Sequence, residues 1–279
     1  MVIRELFSRA RQALEFTENA RFEAEQLLCA AGIDRIKLLT EPSAEVSPEE
    51  ERRFLEMLRR RQSGEPLQYI LGEWEFYGLP FAVGEGVLIP RQDTETLCET
   101  ALDFLETRDS GFRLSADLCA GSGCVGITLA KKANAQVLSY ELSEKALVFL
   151  RRNIELNGAD SVCAIRGDIL SEELIEAAPT LDLIVSNPPY LTARDMTALQ
   201  TEVSHEPQMA LFGGEDGLSF YRAIAKSWTR RLKSGGMLAV EIGMGQEDSV
   251  SSLFKENGIT PRLKNDACGI CRVVYGIKQ

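Results

Sequence analysis

The sequence predicts an α/β protein: a doubly wound, mostly parallel seven-stranded sheet with a small N-terminal helical domain and a β-hairpin linker. Three observations carry that expectation. From residue 113 onward, apolar strand-like runs alternate with helix-like stretches, the rhythm of a parallel sheet covered on both faces. Before about residue 70, apolar residues recur instead at three- and four-residue spacing, which is helical. Between Gly72 and Val83 the period drops to two around a Tyr-Gly pair, which is the signal of a hairpin.

The helical region begins with Val2, Ile3, Leu6, Phe7, Ala10 and Leu14, with Arg4, Glu5, Arg9 and Arg11 between them. A second helix carries Phe22, Ala24, Leu27 and Leu28 and ends near Gly32, a good C-cap. Ser47-Pro48-Glu49-Glu50 supplies an N-cap, a proline at the first helical position and a glutamate three residues on. The helix it starts holds Phe54, Leu55, Met57 and Leu58 and closes on Arg59-Arg60-Arg61. The triple arginine is expected to be solvated charge favouring the helix C-terminus rather than a docking patch. Short helices with apolar stripes must pack on one another, so residues 1–71 are expected to form a small bundle.

Trp74 and Phe76, then Leu79, Phe81 and Val83, alternate around Tyr77-Gly78, and residues 72–90 are assigned to the hairpin linker. Residues 91–279 form the larger domain, opening with a helix through Leu97, Ala101, Leu102 and Leu105. Strands are expected near 113–119, 136–141, 162–167, 181–186 and 236–243, with a last pair near 259–264 and 271–277. Helix-like stretches fill the first four gaps. Ligands of such sheets sit outside the carboxyl ends of the strands, so the residues just after each strand are the informative ones.

The chain has 279 residues, 44% apolar and 26% charged, ordinary for a soluble globular protein. A formal net charge of −11 argues against stable nucleic-acid binding, which rests on Lys and Arg neutralising phosphates. No apolar run is long enough to span a bilayer and the start does not resemble a signal peptide, so no membrane association and a cytoplasmic location are expected. A monomer is the default state. The seven cysteines include one close pair, Cys268-Gly269-Ile270-Cys271, and the single histidine is His205. A zinc site needs more ligands than that, so no metal is expected and the thiols read as small hydrophobes.

The chemistry-bearing residues follow the strands. After the first come Asp117, Cys119, Ala120, Gly121, Ser122 and Gly123. Gly121 and Gly123 permit a tight turn and close approach of a ligand to the backbone, and the following helix directs free N–H groups there. With Gly126 they also satisfy G-x-G-x-x-G, and Glu141 lies about 20 residues on. This loop alone therefore does not separate a nicotinamide dinucleotide from S-adenosylmethionine. Glu141, ending the second strand, can accept from ribose hydroxyls. Asp168, beside Ile169 after the third, can accept from an adenine amino group. The fourth strand, Leu181 to Ser186, stops at Asn187-Pro188-Pro189-Tyr190. The prolines lack an N–H and stiffen the chain, leaving a carboxamide, a free carbonyl and a ring suited to hold a planar nitrogen group.

Taken together these residues resemble a class I S-adenosylmethionine-dependent methyltransferase with a Rossmann-like sheet. The Asn-Pro-Pro-Tyr loop implies methylation of a planar nitrogen, either an adenine amino group or a glutamine amide. Further stretches resemble the protein-(glutamine-N5) methyltransferases of peptide chain release factors, the PrmC/HemK family. They are Pro66-Leu67-Gln68-Tyr69-Ile70-Leu71-Gly72, Val87-Leu88-Ile89-Pro90-Arg91, Thr94-Glu95, Glu206-Pro207, Gly213-Gly214-Glu215-Asp216-Gly217-Leu218 and Tyr221-Arg222. The resemblance implies a release-factor-binding N-terminal domain and a substrate glutamine in a Gly-Gly-Gln motif. It also implies cofactor contacts at Asp117, Cys119 to Gly123, Glu141, Asp168, Ile169 and Asn187. On chemical grounds the substrate amide is expected to be held by the Asn187 side-chain oxygen and the Pro188 carbonyl, with Tyr190 packed on it and Pro189 stiffening the loop.

Several positions depart from the family pattern. Cys119 stands where the loop has a first glycine, and Glu141 where aspartate is usual. Cys271 replaces a residue that is often acidic, and His205 one that is often phenylalanine. Arg91, Asp93 and Glu95 lie at the expected cofactor mouth without an assigned role. The alternatives differ in class. An adenine-N6 methyltransferase would carry a basic recognition surface. A dinucleotide-dependent oxidoreductase leaves the Asn-Pro-Pro-Tyr loop unexplained. A non-enzymatic adaptor would bind ligand without turnover.

Overall fold

The computed structural model describes residues 1–107 and 114–279; the start of the expected strand at residue 113 lies outside the described residues. The chain divides into two compact units, Met1–Glu73 with Gln200–His205, and Trp74–Leu199 with Glu206–Gln279.

The first unit is helical. Helices α1 (Ile3–Ala13), α2 (Ala20–Ala31), α3 (Arg35–Thr40), α4 (Pro48–Gln62) and α5 (Leu67–Leu71) follow in order. The core is built by the apolar stripes: Ile3, Leu6 and Ala10 of α1, Ala24, Leu27 and Leu28 of α2, Phe54 and Leu58 of α4 are all buried. Gly32 caps α2 with φ of 109°, a left-handed turn that glycine adopts without strain. Ser47 and Glu50 form the expected reciprocal capping box.

Three features differ from expectation. Phe22 points outward and is exposed, and α3 forms although its period was too short to read. Arg61 is not solvated. Its side chain is 1% exposed, donates to Glu23 at 2.6 and 3.2 Å, bonds to Glu202, and lies over the Phe16 ring. A guanidinium taken out of water must be met by carboxylates. Those partners come from positions 38 and 141 residues away, invisible to any local window.

The second unit begins with β1 (Glu73–Phe76) from Trp74 onward and β2 (Leu79–Ala82). Tyr77 and Gly78 both have positive φ, 53° and 73°, the pattern of the primed turn that suits strand twist. After a 3₁₀ turn at Gln92–Thr94 come α6 (Glu95–Glu106), β3 (Leu114–Leu118), α7 (Cys124–Ala133), β4 (Gln136–Glu141), α8 (Glu144–Leu156), β5 (Val162–Arg166), α9 (Glu172–Ala177) and β6 (Leu181–Ser186). The chain continues through α10 (Ala193–Met196), α11 (Ser219–Lys226), β7 (Leu232–Glu241), α12 (Glu247–Glu256), β8 (Arg262–Asn265) and β9 (Cys271–Ile277).

Among the described residues the main sheet has seven strands in the order β5-β4-β3-β6-β7-β9-β8. The strands from β5 to β7 are parallel, and β9 is antiparallel to both neighbours. Both faces are covered. In β6, Leu183 and Val185 enter one apolar cluster and Ile184 the other, which explains why this strand reads as a continuous apolar run. The hairpin is tied to α8 through Asn153, whose amide exchanges two hydrogen bonds with Ala82 and donates a third to the Ser122 carbonyl.

Helix α12 was not anticipated; it buries only Val250 and Phe254, too few positions to show a period. Strand β7 starts at Leu232, ahead of the expected 236. Its Lys233-Ser234-Gly235-Gly236 stretch reads locally as a turn, but Gly235 and Gly236 bond to Lys278 across the sheet.

Arg61→Ala strands the Glu23 carboxylate in the first unit's core. The expected cost is about 3–5 kcal/mol, read as a lowered denaturant midpoint for the helical unit.

Candidate functional site

The strand order reverses direction at β3, with β4 on one side and β6 on the other, and ligands of open α/β sheets bind at that point. The parallel register sets Leu118 beside Tyr140 and Ser186, so the residues following three strands open onto one space. The Ser186 hydroxyl donates to the Leu118 carbonyl at 2.7 Å and pins the two strand ends together. Above them lies a cavity of about 580 Å³, within the usual range for a cofactor pocket.

Of the site residues expected from sequence, Asp117, Cys119, Ala120, Gly121, Ser122, Glu141, Asp168, Ile169, Asn187 and Pro189 line this cavity. Gly123, Pro188 and Tyr190 are not among its lining residues. Gly123 has φ of 81° and forms the turn into α7. A side chain there would meet Leu150 at 2.3 Å.

The turn after β3 is backbone-driven. Cys119 has φ of 61° and Gly121 of 55°. A left-handed Cys119 bears strain that a glycine would not. A Cβ on Gly121 would meet nothing within 4 Å, so the backbone there faces open space. Glu141 reaches back across this turn. One carboxylate oxygen accepts from the Gly121 N–H at 2.8 Å, the other from the Ser143 N–H at 2.7 Å. The carboxylate keeps acceptor capacity beyond these contacts, which suits a ribose hydroxyl. Burial raises the Glu141 pKa, opposed by the N–H groups of Ser143, Gly121 and Leu142.

Asp117 is buried at the foot of α7, where it accepts from the Gly126 N–H at 2.9 Å. Burial pushes its pKa up to about 7, against that hydrogen bond and with help from Glu141. Asp168 accepts from the Leu170 N–H at 2.9 Å, and the Ile169 carbonyl accepts from the buried Trp228 indole at the same distance. Trp228 packs edge-on against Tyr140. This floor was absent from the sequence reading because Trp228 lies 59 residues from Ile169.

The Asn187-Pro188-Pro189-Tyr190 loop is clamped from outside. Leu191 bridges to Phe212, and its N–H donates to the Leu211 carbonyl while its carbonyl accepts from Gly213. A Cβ on Gly213 would sit 2.6 Å from the Pro189 oxygen, and one on Gly217 2.3 Å from the Tyr190 oxygen. The Gly213 to Leu218 stretch is thus glycine-rich because backbone presses on backbone. Gln246 completes the clamp by donating to the Tyr190 carbonyl at 3.1 Å. Burial pushes the Tyr190 phenol up to about 12, with Glu241 adding to it.

The three charged residues left unassigned from sequence each have a partner within the protein. Arg91 lines the cavity and pairs with the buried Glu206, which also accepts from the Ile89 N–H. Asp93 pairs with Arg272 at 2.9 Å, and Glu95 accepts from the Tyr77 N–H at the hairpin turn. Thr94 also lines the cavity, and its hydroxyl accepts from the Asn187 amide at 3.1 Å; nothing in its local sequence points to that contact. Cys268 and Cys271 are free thiols around a turn capped by Asp266, and His205 is exposed. Among the described residues no group of His, Cys, Asp and Glu could hold a metal ion.

The residues fit S-adenosylmethionine: open backbone at Gly121, a carboxylate with free lone pairs at Glu141 and an acid beside an apolar floor at Asp168. The sheet also differs from the all-parallel dinucleotide-binding arrangement by the antiparallel β9 inserted between β7 and β8. Fold and site together define a class I methyltransferase. Comparison with known proteins narrows this. Residues 5–72 match the PrmC N-terminal domain, and residues 99–215 the methyltransferase small domain. The release factor glutamine methyltransferase of Geobacter sulfurreducens is 43% identical, over 97% of this chain and 94% of that protein. The one from Clostridium acetobutylicum is 35% identical, over 100% and 99%. The chain belongs to the release factor glutamine methyltransferase family. Solved structures of lower identity share the fold. A Pyrococcus furiosus methyltransferase has a TM-score of 0.54 at 19% identity, covering 73% of this chain and 90% of its own. The hMettl16 catalytic domain has a TM-score of 0.58 at 15%, covering 84% and 82%.

Two outcomes are expected. Gly213→Ala forces the Pro189 and Tyr190 backbone to move, and should lower methyl transfer at least about tenfold while calorimetry still detects cofactor binding. The second concerns pH. Burial pushes Glu241, like Asp117, up to about 7. Both folded values lie above the unfolded carboxylate range, so the native state holds protons that the unfolded chain has released. These two groups therefore lower stability as pH rises from about 4 to about 7. Asp117→Asn should flatten that part of the denaturant-midpoint profile.

Proposed function

We propose that this chain transfers a methyl group from S-adenosyl-L-methionine to the N5 side-chain amide nitrogen of the glutamine in the Gly-Gly-Gln motif of peptide chain release factors. The observation that carries the reading is that Asn187 lines the same cavity as Gly121, Glu141 and Asp168. An amide-binding group and an adenosine-binding set thereby share one space.

An amide nitrogen is a weak nucleophile because its lone pair is delocalised into the carbonyl. When bound, S-adenosylmethionine supplies an electrophilic methyl group on a positively charged sulfur. The protein's contribution is then mainly positioning. Asn187 and the Pro188 carbonyl accept the two amide hydrogens and turn the nitrogen lone pair toward the donor side of the cavity. Tyr190 and the prolines keep that loop stiff. Asp117, Ser122 and the turn from Cys119 to Gly123 hold the methionine end, Glu141 the ribose, and Asp168 with Ile169 the adenine. No side-chain base is required before transfer. No Lys or His lines the cavity, and its two thiols are neutral at physiological pH: burial raises Cys119 well above its ordinary value and pushes Cys124 up to about 12.

Residues 1–71 are assigned to gripping the release factor, 72–90 to linking and 91–279 to catalysis. In support, Ile36 and Leu39 of the helical unit are each 68% exposed, an apolar surface suited to a protein partner. We place its action in the cytoplasm, as a monomer; separately, no helix among the described residues is long and apolar enough to cross a membrane.

Mass spectrometry of a purified release factor incubated with this protein and cofactor tests the reading. One added methyl group on the Gly-Gly-Gln glutamine is expected, and methyl transfer into nucleic acid alone would overturn it. Asn187→Ala should lower kcat by about a hundredfold or more with cofactor affinity little changed.

A further inference from the structure

We propose that Gln246 is a positioning residue for methyl transfer: it closes the Asn187-to-Tyr190 loop onto the end of β7 and so fixes where Asn187 meets the cavity. The proposal rests on the amide-methylating function above.

The Gln246 carboxamide is oriented by partners of single character. Its Oε1 accepts from the Gly243 backbone N–H at 2.9 Å, a group that can only donate. Its Nε2 donates to the Tyr190 and Gly217 carbonyls at 3.1 and 3.5 Å, groups that can only accept. A flip would set oxygen against two oxygens and NH₂ against N–H, so one orientation remains. The residue is also held at its root. The Gln246 N–H donates to the Gly243 carbonyl at 3.2 Å, so its backbone and its side chain close the same turn. The buried Tyr221 hydroxyl donates to the Glu241 carbonyl at 2.9 Å and lies 3.3 Å from Gln246 Oε1. The turn from Gly243 to Gln246 is thereby tied to the last residue of β7.

That attachment constrains the loop at both ends. At its start, Ser186 of β6 pairs in register with Val240 of β7. At its end, the Tyr190 carbonyl returns to the turn that leaves β7. Only Asn187, Pro188 and Pro189 lie between, and the proline rings fix φ at their own positions. The Tyr190 ring adds a second stop: a Cβ on Gly243 would sit 3.0 Å from Tyr190 Cδ2, so the ring lies against bare backbone. Asn187, whose side chain lines the cavity, thus sits in a short span with both ends tied to one strand. Displacing it requires breaking either the β6–β7 pairing or the Gln246 contact. A side-chain hydrogen bond is the weaker of those two links, so Gln246 decides how firmly the acceptor side of the cavity is held.

Steady-state kinetics with a release factor at about pH 8 tests the clip. Gln246→Leu removes donor and acceptor at similar volume. Gln246→Glu keeps an acceptor toward Gly243 but, ionised at that pH, offers no donor to the Tyr190 carbonyl. Both are expected to lower kcat about 10- to 100-fold, the effect of a misplaced reacting group, with the calorimetric cofactor Kd within about threefold of wild type. A wild-type kcat in Gln246→Glu would overturn the proposal, as would an equal loss of cofactor affinity in both variants, which marks a general loss of structure. In an Asn187→Ala background the effect of Gln246→Leu should shrink at least about threefold, because the main group it positions is gone. Full additivity of the two substitutions would sink the idea. A readout free of turnover separates this from failure of the functional reading. The Leu191 N–H, which donates to the Leu211 carbonyl at 2.9 Å, follows Tyr190 directly. Its hydrogen exchange should be at least about tenfold faster in both variants, with the amides of β6 and β7 unchanged. Unchanged Leu191 exchange would overturn the proposal even if the wild type methylates no release factor.

Discussion

Parallel pairing of β3 with β6, closed by the Ser186 hydroxyl on the Leu118 carbonyl, is the constraint on which the site depends. The turn at Cys119 to Gly123 and the loop at Asn187 to Tyr190 are 68 residues apart in their anchoring contact. They face each other only because the two strands stop at the same level. A slip of one residue would turn every side chain of β6 to the opposite face, exchanging Leu183 and Val185 with Ile184 between two packed clusters. The apolar cores therefore enforce the register, and the register enforces the distance across the cavity.

Buried polar groups then convert that frame into a site. Asp117, Glu141 and Glu206 are carboxylates at or beside the cavity, and each accepts from a backbone N–H. Burial favours the neutral forms of Asp117 and Glu141. Backbone N–H groups at Gly121, Ser143, Gly126 and Ile89 partly offset that cost and fix each carboxylate in direction. Arg91, which lines the cavity, pairs with Glu206, and Arg272 pairs with Asp93. The geometry of charge here is a matter of orientation more than of strength.

Stiffness of the acceptor loop follows from the same economy. Pro188 and Pro189 remove N–H donors, and Gly213 and Gly217 let a second stretch of backbone press directly on the loop. Gln246 and Thr94 each hydrogen-bond to the loop. For a nucleophile as weak as an amide, lost positional freedom is worth more than an added base.

Much of this was legible in the residues themselves. The periods of two and of three to four located the hairpin, most strands and the core helices, because backbone geometry imposes them locally. Gly121, Glu141, Asp168 and Asn187 could be singled out because ligands of such sheets sit at strand ends. Short or weakly amphipathic elements escaped: α12 buries just Val250 and Phe254, and the glycines opening β7 are strand only through Lys278. Arg61 read as solvated because Glu23 and Glu202 are distant in sequence. The same reason hid the contacts of Thr94 and Trp228, whose partners Asn187 and Ile169 lie far along the chain. Local order was written in the sequence by itself; which buried polar group meets which was decided only when tertiary structure brought distant chain segments within a hydrogen bond.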